Sequence, residues 1–547
     1  MAHIAWHRLG MLLSVPAAAA LCACSSTVEV TVPTARVRVP GHFMTRPGVD
    51  KMPPAPASAP TGASAPMPAG PPNPPQAAGT DLQRWWLDLN DPVLNALIER
   101  GLQDNTDIRI ALDRVREARA YQTQAESAYY PTVEAFGGLA YSKGTVRLPD
   151  WPPPLNWPSV SLPTAKQSAA GLAAAWEVDL FGSRHSFADS VHQWVHGAQE
   201  QVHGAQLQVA GEIATQYFEA RGVEQRIEVL KRGIVVARRL VSYATGRFNA
   251  GQTKRTDVLR AEAEAEYTES QMAGLSLLLR QRLLRLATLT GQAAEDLQAL
   301  PPQPTGSGIP ASLPTVLPSE VLENRPDVRG AAHVVRARAA ELGSAKADLL
   351  PKFYLGFLAG EGHISLSNLP TTRASLQAWG LGVQLPLFTA GRLRAKIAVQ
   401  DARLDSAVAD YERAIRQALE DVENAYQARL ALDARNTQLE RAVNLQQEAS
   451  RDGEKLYRAG QELLQPVLES QAKALLREDE LVQSRTVRTT TTVLLYKALG
   501  AGWSDASARA SMAALEASAA GPAAPQSAPT ELSPAVQSWL RGQRRRP

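Results

Sequence analysis

Only two cysteines, Cys22 and Cys24, occur in 547 residues, so no disulfide framework holds this chain together. Aromatic residues are scarce, at 6%, while alanine is abundant. That balance suits long, closely packed helices better than one large globular core. A net charge of +3 with 20% charged residues offers no basic field for nucleic acid. No phosphate loop, nucleophile elbow or pair of zinc cysteines occurs, and the scattered Asp and Glu read as solvated helix faces. An enzyme is not expected. Proline is absent from Arg184 to Gly291, which leaves that stretch free to be one helical hairpin.

What is present in that stretch is a helical period. Ile213, Tyr217, Ala220, Val223, Ile227, Leu230, Ile234, Ala237 and Val241 recur mostly three and four apart, the seam of a helix packed along another. The return arm repeats the pattern through Val258, Ala261, Ala265, Met272, Leu275 and Leu279. An arm from 184 to 246 would be roughly 90 Å long at the helical rise. The tip reads Gly246-Arg247-Phe248-Asn249-Ala250-Gly251-Gln252, and a later stretch reads Leu456-Tyr457-Arg458-Ala459-Gly460-Gln461. The interval from Gly251 to Gly460 equals that from Gly291 to Gly500. Two landmarks at one offset imply an internal duplication.

Each long hairpin is preceded by a shorter helix. One runs from Pro92 to Tyr130-Pro131, the other from Pro318 to Leu350-Pro351. After each terminal proline the period changes to two. Val133, Ala135, Gly137, Leu139 and Tyr141 alternate with other residues, as do Ala170, Leu172, Ala174, Trp176 and Val178. In the second half Phe353, Leu355, Phe357 and Ala359 alternate, then Trp379, Leu381, Val383 and Leu385. These predict four strands of roughly ten residues, the length that crosses a bilayer when tilted. The loop between the first two contains Trp151-Pro152-Pro153-Pro154 and is the longer of the two. Four strands leave open edges, which lipid does not tolerate, so closure requires several copies. Three copies give a feasible barrel of about twelve strands.

The ends differ from the middle. Met11 to Leu21 is apolar but too short to span a bilayer, and it leads into Leu21-Cys22-Ala23-Cys24. This resembles a bacterial lipobox, with Cys24 as the acylated residue; Cys22 does not fit, because Leu21 would directly precede it. Residues 1–23 are then a lipoprotein signal peptide. Ser25, rather than Asp, suits sorting to the outer membrane. Residues 24–84 form a lipid-anchored Pro/Ala-rich segment, with a spacer over 45–80, and folded sequence is expected from Trp85-Trp86. Residues 85–300 and 301–503 are the two repeats. Residues 504–547, ending in Arg544-Arg545-Arg546, read as a disordered tail.

Taken together, the chain resembles the TolC-like outer membrane factors, in the lipoprotein branch that includes OprM and NodT-like proteins. The resemblance covers about 85 to 503. It rests on Trp85-Trp86 with Asp91-Pro92, Asp179-Leu180-Phe181-Gly182, Pro386-Leu387-Phe388 with Gly391-Arg392, Tyr457-Arg458-Ala459-Gly460, and the run from Leu495 to Trp503. It implies an α+β membrane protein: a trimeric 12-stranded β-barrel, four strands per chain, continuous with a long periplasmic helical barrel. It implies a passive outer-membrane channel of a tripartite efflux system in a Gram-negative bacterium. Its partners would be two further copies, a periplasmic adaptor (membrane fusion) protein and an inner-membrane pump of the RND type. No cofactor is implied beyond lipid on Cys24. The rival readings are a periplasmic adaptor lipoprotein, against which the duplication counts, and a structural envelope coiled-coil protein, which would lack bilayer-length strands.

The resemblance also assigns roles at the hairpin tips. Asp257, Tyr457 and Glu469 match positions that narrow the periplasmic aperture, while Gln465 and Pro466 depart from the family pattern. The turns at Ala250, Gly251, Ala459 and Gly460 would dock the adaptor. One other pattern stands out. His185, His192, His196 and His203 flank a second, upstream seam on the same arm, Val191, Val195, Ala198, Val202, Ala205 and Val209, lying one position past Val191, Val195 and Val202 in three cases. A His pair four apart suits a transition metal, but a polar flank facing lumen or solvent explains the stripe more simply, and no metal is expected.

Overall fold

The structure is a computed structural model that describes residue 28 and residues 30–44, 82–146, 160–302, 313–314, 316–366 and 370–519. Cys24, the spacer over 45–80, the loop at Trp151 and the basic C-terminus lie outside the described residues. A 3-10 helix at Leu82–Leu89 is followed by α1 (Pro92–Asp104), α2 (Thr106–Glu126), β1 (Thr132–Val146) and β2 (Val160–Val178). Then come α3 (Ser183–Asn249) and α4 (Arg255–Leu289). The second half contains α5 (Pro318–Asn324), α6 (Pro326–Ala347), β3 (Lys352–Leu366), β4 (Thr372–Gln384), α7 (Arg392–Arg458) and α8 (Leu464–Ala498). A last helix, α9, spans Asp505–Ala519.

The long arms match to the residue. α3 and α7 are 67 residues each, and α4 and α8 are 35 each. At the helical rise the long arms reach about 100 Å. Both start beside a glycine with positive φ, Gly182 (74°) and Gly391 (84°), where the chain turns out of a strand. Near the sheet, α2, α3, α6 and α7 lie side by side in that order. Beyond the waist the order becomes α4, α3, α8, α7. Thus α3 and α7 run through both layers, while their partners change. The hairpins are tied to each other at Gly222, where a Cβ would stand 2.2 Å from Thr486 Oγ1, and by ion pairs Arg226–Asp479 (2.8 Å) and Arg232–Glu478 (2.7 Å).

The expectations for the short helices and the strands need correction. The helix from Pro92 to Tyr130 is broken at Asn105, and the one from Pro318 to Leu350 at Arg325. The break has the same cause in each half. Asn105 Nδ2 donates to the carbonyl of Leu289 (2.9 Å), and Arg325 Nη1 to that of Ala498 (3.1 Å). Each break therefore satisfies an orphan carbonyl at the end of a return helix. Asn105 also caps α2 through Asp107 N and Ile108 N, while Pro326 disfavours helical backbone at Arg325. The strands, at 15, 19, 15 and 13 residues, are longer than expected.

The waist carries the largest core. Trp85, buried, stacks on Tyr496 at 4.9 Å, and Tyr217 donates its hydroxyl to the buried capping carboxylate of Asp91 at 2.7 Å. Tyr426, separated from Tyr217 by the same interval as Gly460 from Gly251, donates to Pro314 O at 2.6 Å. The ends are more ordered than expected. Val30 packs against the cluster of Val335, Leu342 and Leu404, Val37 against that of Val328, Ile415 and Ala418, and Phe43 on Tyr426 at 6.0 Å, so packed chain begins well before Trp85. Residues 505–519, expected as disordered tail, form α9, whose Met512 is buried among Leu112, Val115 and Val202.

All four return points end in the same motif. Gly251, Gly291, Gly460 and Gly500 have positive φ, and each N–H bonds to the carbonyl three residues back while the next N–H reaches five back. At the tips nothing else crowds the glycine, but a Cβ on Gly500 would stand 2.8 Å from the backbone of Asn324. Gly460→Ala is expected to cost only the left-handed strain, about 1–2 kcal/mol. Gly500→Ala adds overpacking of about 1–3 kcal/mol. Thermal melting followed by circular dichroism should show the larger drop for Gly500→Ala; equal drops would refute this account of the waist.

Candidate functional site

At the first tip, Asp257 lies in the opening turn of α4. The Thr253 hydroxyl donates to its Oδ2 at 2.5 Å, and Arg260 lies 3.7 Å from Oδ1. The hydroxyl bond, first, holds this carboxyl below the usual carboxylate range, so it is ionised at neutral pH. At the second tip, Tyr457 sits in the last turn of α7, is 40% exposed, and its hydroxyl finds no partner among the described residues. Glu469 in α8 accepts from Gln465 Nε2 at 3.0 Å. Pro466 stands in the first turn of α8, where a missing N–H costs nothing. No hydrogen bond or ion pair joins Asp257, Tyr457 and Glu469 within one chain. The interval relating the halves carries Asp257 onto Pro466, so the acid at that position is present in one hairpin only. Ala250, Gly251, Ala459 and Gly460 are all exposed.

The sheet at the other end has order β1-β2-β3-β4, antiparallel throughout, with β1 and β4 as free edges among the described residues. Its register sorts the residues by face. Val133 pairs with Ala174, Ala174 with Phe357, and Phe357 with Trp379; Leu355 lies between Trp176 and Leu381. Over the half of the sheet nearer the helices the alternating residues of all four strands therefore share one apolar face, on which Trp379 is 82% exposed; farther out the same face carries Glu361, His363 and Arg373. The opposite face is small: Gly171 pairs with Gly360, Gly356 with Gly380, and Leu358 with Ala378. The ring of Phe136 lies across Gly171 and Gly360 there, where a Cβ on Gly171 would meet it at 2.7 Å. An apolar face backed by a face of small residues is the division a lipid-facing barrel wall makes.

The histidines go to separate surroundings. His185 faces Asp189 and Tyr129, His192 bonds Glu126 at 2.8 Å, and His196 stacks on His333. His203 is buried between Glu200 and Asp505 and stacks on Trp503. Among the described residues no group of His, Cys, Asp and Glu has the makings of a metal site.

The sequence profile of the outer membrane efflux proteins matches residues 97–292 and again 317–501. The chain belongs to that family. Pseudomonas putida OpmQ, named for pyoverdine export, is 27% identical to this efflux protein over 426 residues, 77% of this chain and 88% of its own. Nodulation protein T of Rhizobium leguminosarum bv. trifolii is 27% identical over 427 residues, with the same shares. Of solved structures, the outer-membrane channel OprN has a TM-score of 0.71 at 25% identity, covering 88% of this chain and 100% of its own. The Neisseria gonorrhoeae MtrE channel shares the fold, at TM-score 0.70 and 24% identity over 86% of this chain and 98% of its own. The expected TolC-like membership is thereby established, and with it an outer-membrane efflux duct.

Sequence reasoning missed two parts of this efflux protein. The packed N-terminal segment was signalled by the alternation of Val28, Val30 and Val32. The C-terminal helix had no comparable sign, because its Ala-rich composition matches that of the tail beyond it.

Proposed function

We propose that three copies of this chain, built from a duplicated unit, close a 12-stranded barrel and a continuous helical tunnel that carries small solutes outward. One observation carries the reading: a sheet with two free edges and one apolar face runs directly into a helical wall that also ends in unpartnered helices, α4 and α7. Neighbouring copies satisfy both edges by one rotation. The names of the relatives support efflux as the purpose; in this reading an adaptor seats on the exposed tips with an RND-type pump beneath, and the duct itself is passive. Purified protein in mild detergent should have three times the chain mass and should conduct in planar bilayers. A folded monomer, or a trimer that never conducts, overturns the proposal.

In such a trimer Asp257, Tyr457 and Glu469 each become a ring at the periplasmic mouth. Because the half-exposed Tyr457 hydroxyl has no partner among the described residues of its own chain, it is free to bond a neighbouring copy. Like charges in the acidic rings repel, so packing and such bonds hold the mouth closed. Tyr457→Phe is expected to raise single-channel conductance. Asp257→Asn with Glu469→Gln is expected to weaken block by multivalent cations. Wild-type conductance and block in both variants would remove these residues from the aperture.

A further inference from the structure

The run from Leu495 to Trp503 is used by the fold almost side chain by side chain. Leu495 and Leu499 are core, Tyr496 stacks on Trp85, Gly500 turns the chain, and Trp503 donates to Asn324 O at 3.0 Å. Lys497 is the exception. Its stem lies against α3 at Gly211, where a Cβ would meet Lys497 Cδ at 3.6 Å. The residue is half-buried, and its ammonium makes no hydrogen bond or ion pair among the described residues. The nearest carboxylates are taken: Asp421 by Arg325 (3.0 Å) and Gln417 (3.0 Å), Glu212 by Gln216 (3.0 Å) and Arg285 (3.7 Å). Burial pushes the ammonium pKa down.

Lys497 opens onto a cleft of about 620 Å³ at the waist, whose walls include Leu207, Pro326, Ala428 and Leu494. That is the size of a small-molecule site. The cleft lies on the side of the wall turned away from the waist core. On α3 the core takes Val202, Val209 and Ile213, while Gly204 and Gln208 of the cleft fall roughly half a turn round. On α8 the core takes Tyr496 and Leu499, and the cleft takes Leu494 and Lys497. In the trimeric duct proposed above, on which this inference rests, that side is the lumen.

We propose that this cleft is a luminal way-station for organic anions, Lys497 pairing with a carboxylate while the apolar walls take the hydrocarbon body. A half-buried ammonium with no ion pair of its own, its neighbours Asp421 and Glu212 being held by other groups, is stabilised by a carboxylate more than an exposed lysine is. Three such stations would ring the tunnel at its waist.

The test is lysine footprinting on the full-length protein in nanodiscs. Acetylation of each lysine is followed by mass spectrometry, with benzoate as the probe. Saturating benzoate should slow Lys497 about fivefold or more, since only the unoccupied fraction reacts. Exposed Lys231 and Lys455 should be unaffected, and benzyl alcohol should protect nothing. Lys497→Arg should retain binding of radiolabelled benzoate in equilibrium dialysis, and Lys497→Met should lose it. Absence of protection, equal protection by chloride, or undiminished binding to Lys497→Met would each overturn the proposal. Footprinting does not depend on conduction. A preparation that is protected but does not conduct refutes the duct and keeps the site; one that conducts without protection refutes the site alone.

Discussion

Phe357→Lys is expected to abolish assembly in the outer membrane, whereas Leu358→Lys, one residue along, is expected to leave it intact. Phe357 stands midway along β3 between Ala174 and Trp379, on the apolar face. Leu358 stands between Ala173 and Ala378, on the face of small residues. Successive strand residues point to opposite faces, so the two lysines would enter different solvents. At the bilayer midplane a lysine costs about 2–4 kcal/mol, and in the proposed trimer three copies would bring that to about 6–12 kcal/mol. Native stabilities are only about 5–15 kcal/mol, so the penalty consumes most of the margin. In a water-filled lumen a lysine keeps its hydration and instead shifts ion selectivity toward anions. Heat-modifiable migration and membrane fractionation measure assembly; bilayer recordings measure selectivity. Assembled Phe357→Lys, or unassembled Leu358→Lys, would show that the faces are assigned backwards.

That pair of adjacent outcomes was legible in the sequence because the strand period is two and the register was forced. Val133, Leu172, Phe357 and Trp379 were grouped by alternation alone, and the ladders place them on one face. The long arms were legible for a similar reason, since a seam without proline has one solution. The breaks at Asn105 and Arg325 were not, because each is fixed by a carbonyl at the far end of a return helix, Leu289 or Ala498. A contact spanning that much chain leaves no local periodic trace. The tips were legible as turns but not as a gate: Gly251 and Gly460 dictate the backbone, while Asp257, Tyr457 and Glu469 meet nothing in their own chain that defines an aperture. Their arrangement depends on copies of the chain that one sequence does not position.

The anchor follows from the same separation of near and far. Cys24→Ala is expected to eliminate incorporation of labelled palmitate, and Cys22→Ala to leave it unchanged. Cys24 lies outside the described residues, but Val28, four positions on, does not. The Val28 carbonyl would stand 3.2 Å from a Cβ on Gly343, close to the end of α6, from which the chain turns into β3 at Lys352. From there the segment runs toward the waist past Val30, Val37 and Phe43, against α6 and α7. Because those contacts and the proposed barrel do not involve the acyl chains, the unlipidated protein should still assemble, with wild-type migration on unheated gels. Label persisting in Cys24→Ala would move the anchor elsewhere. Loss of assembly in the same variant would mean that the lipid, rather than the packing of Val30 to Phe43, holds this segment against its helices.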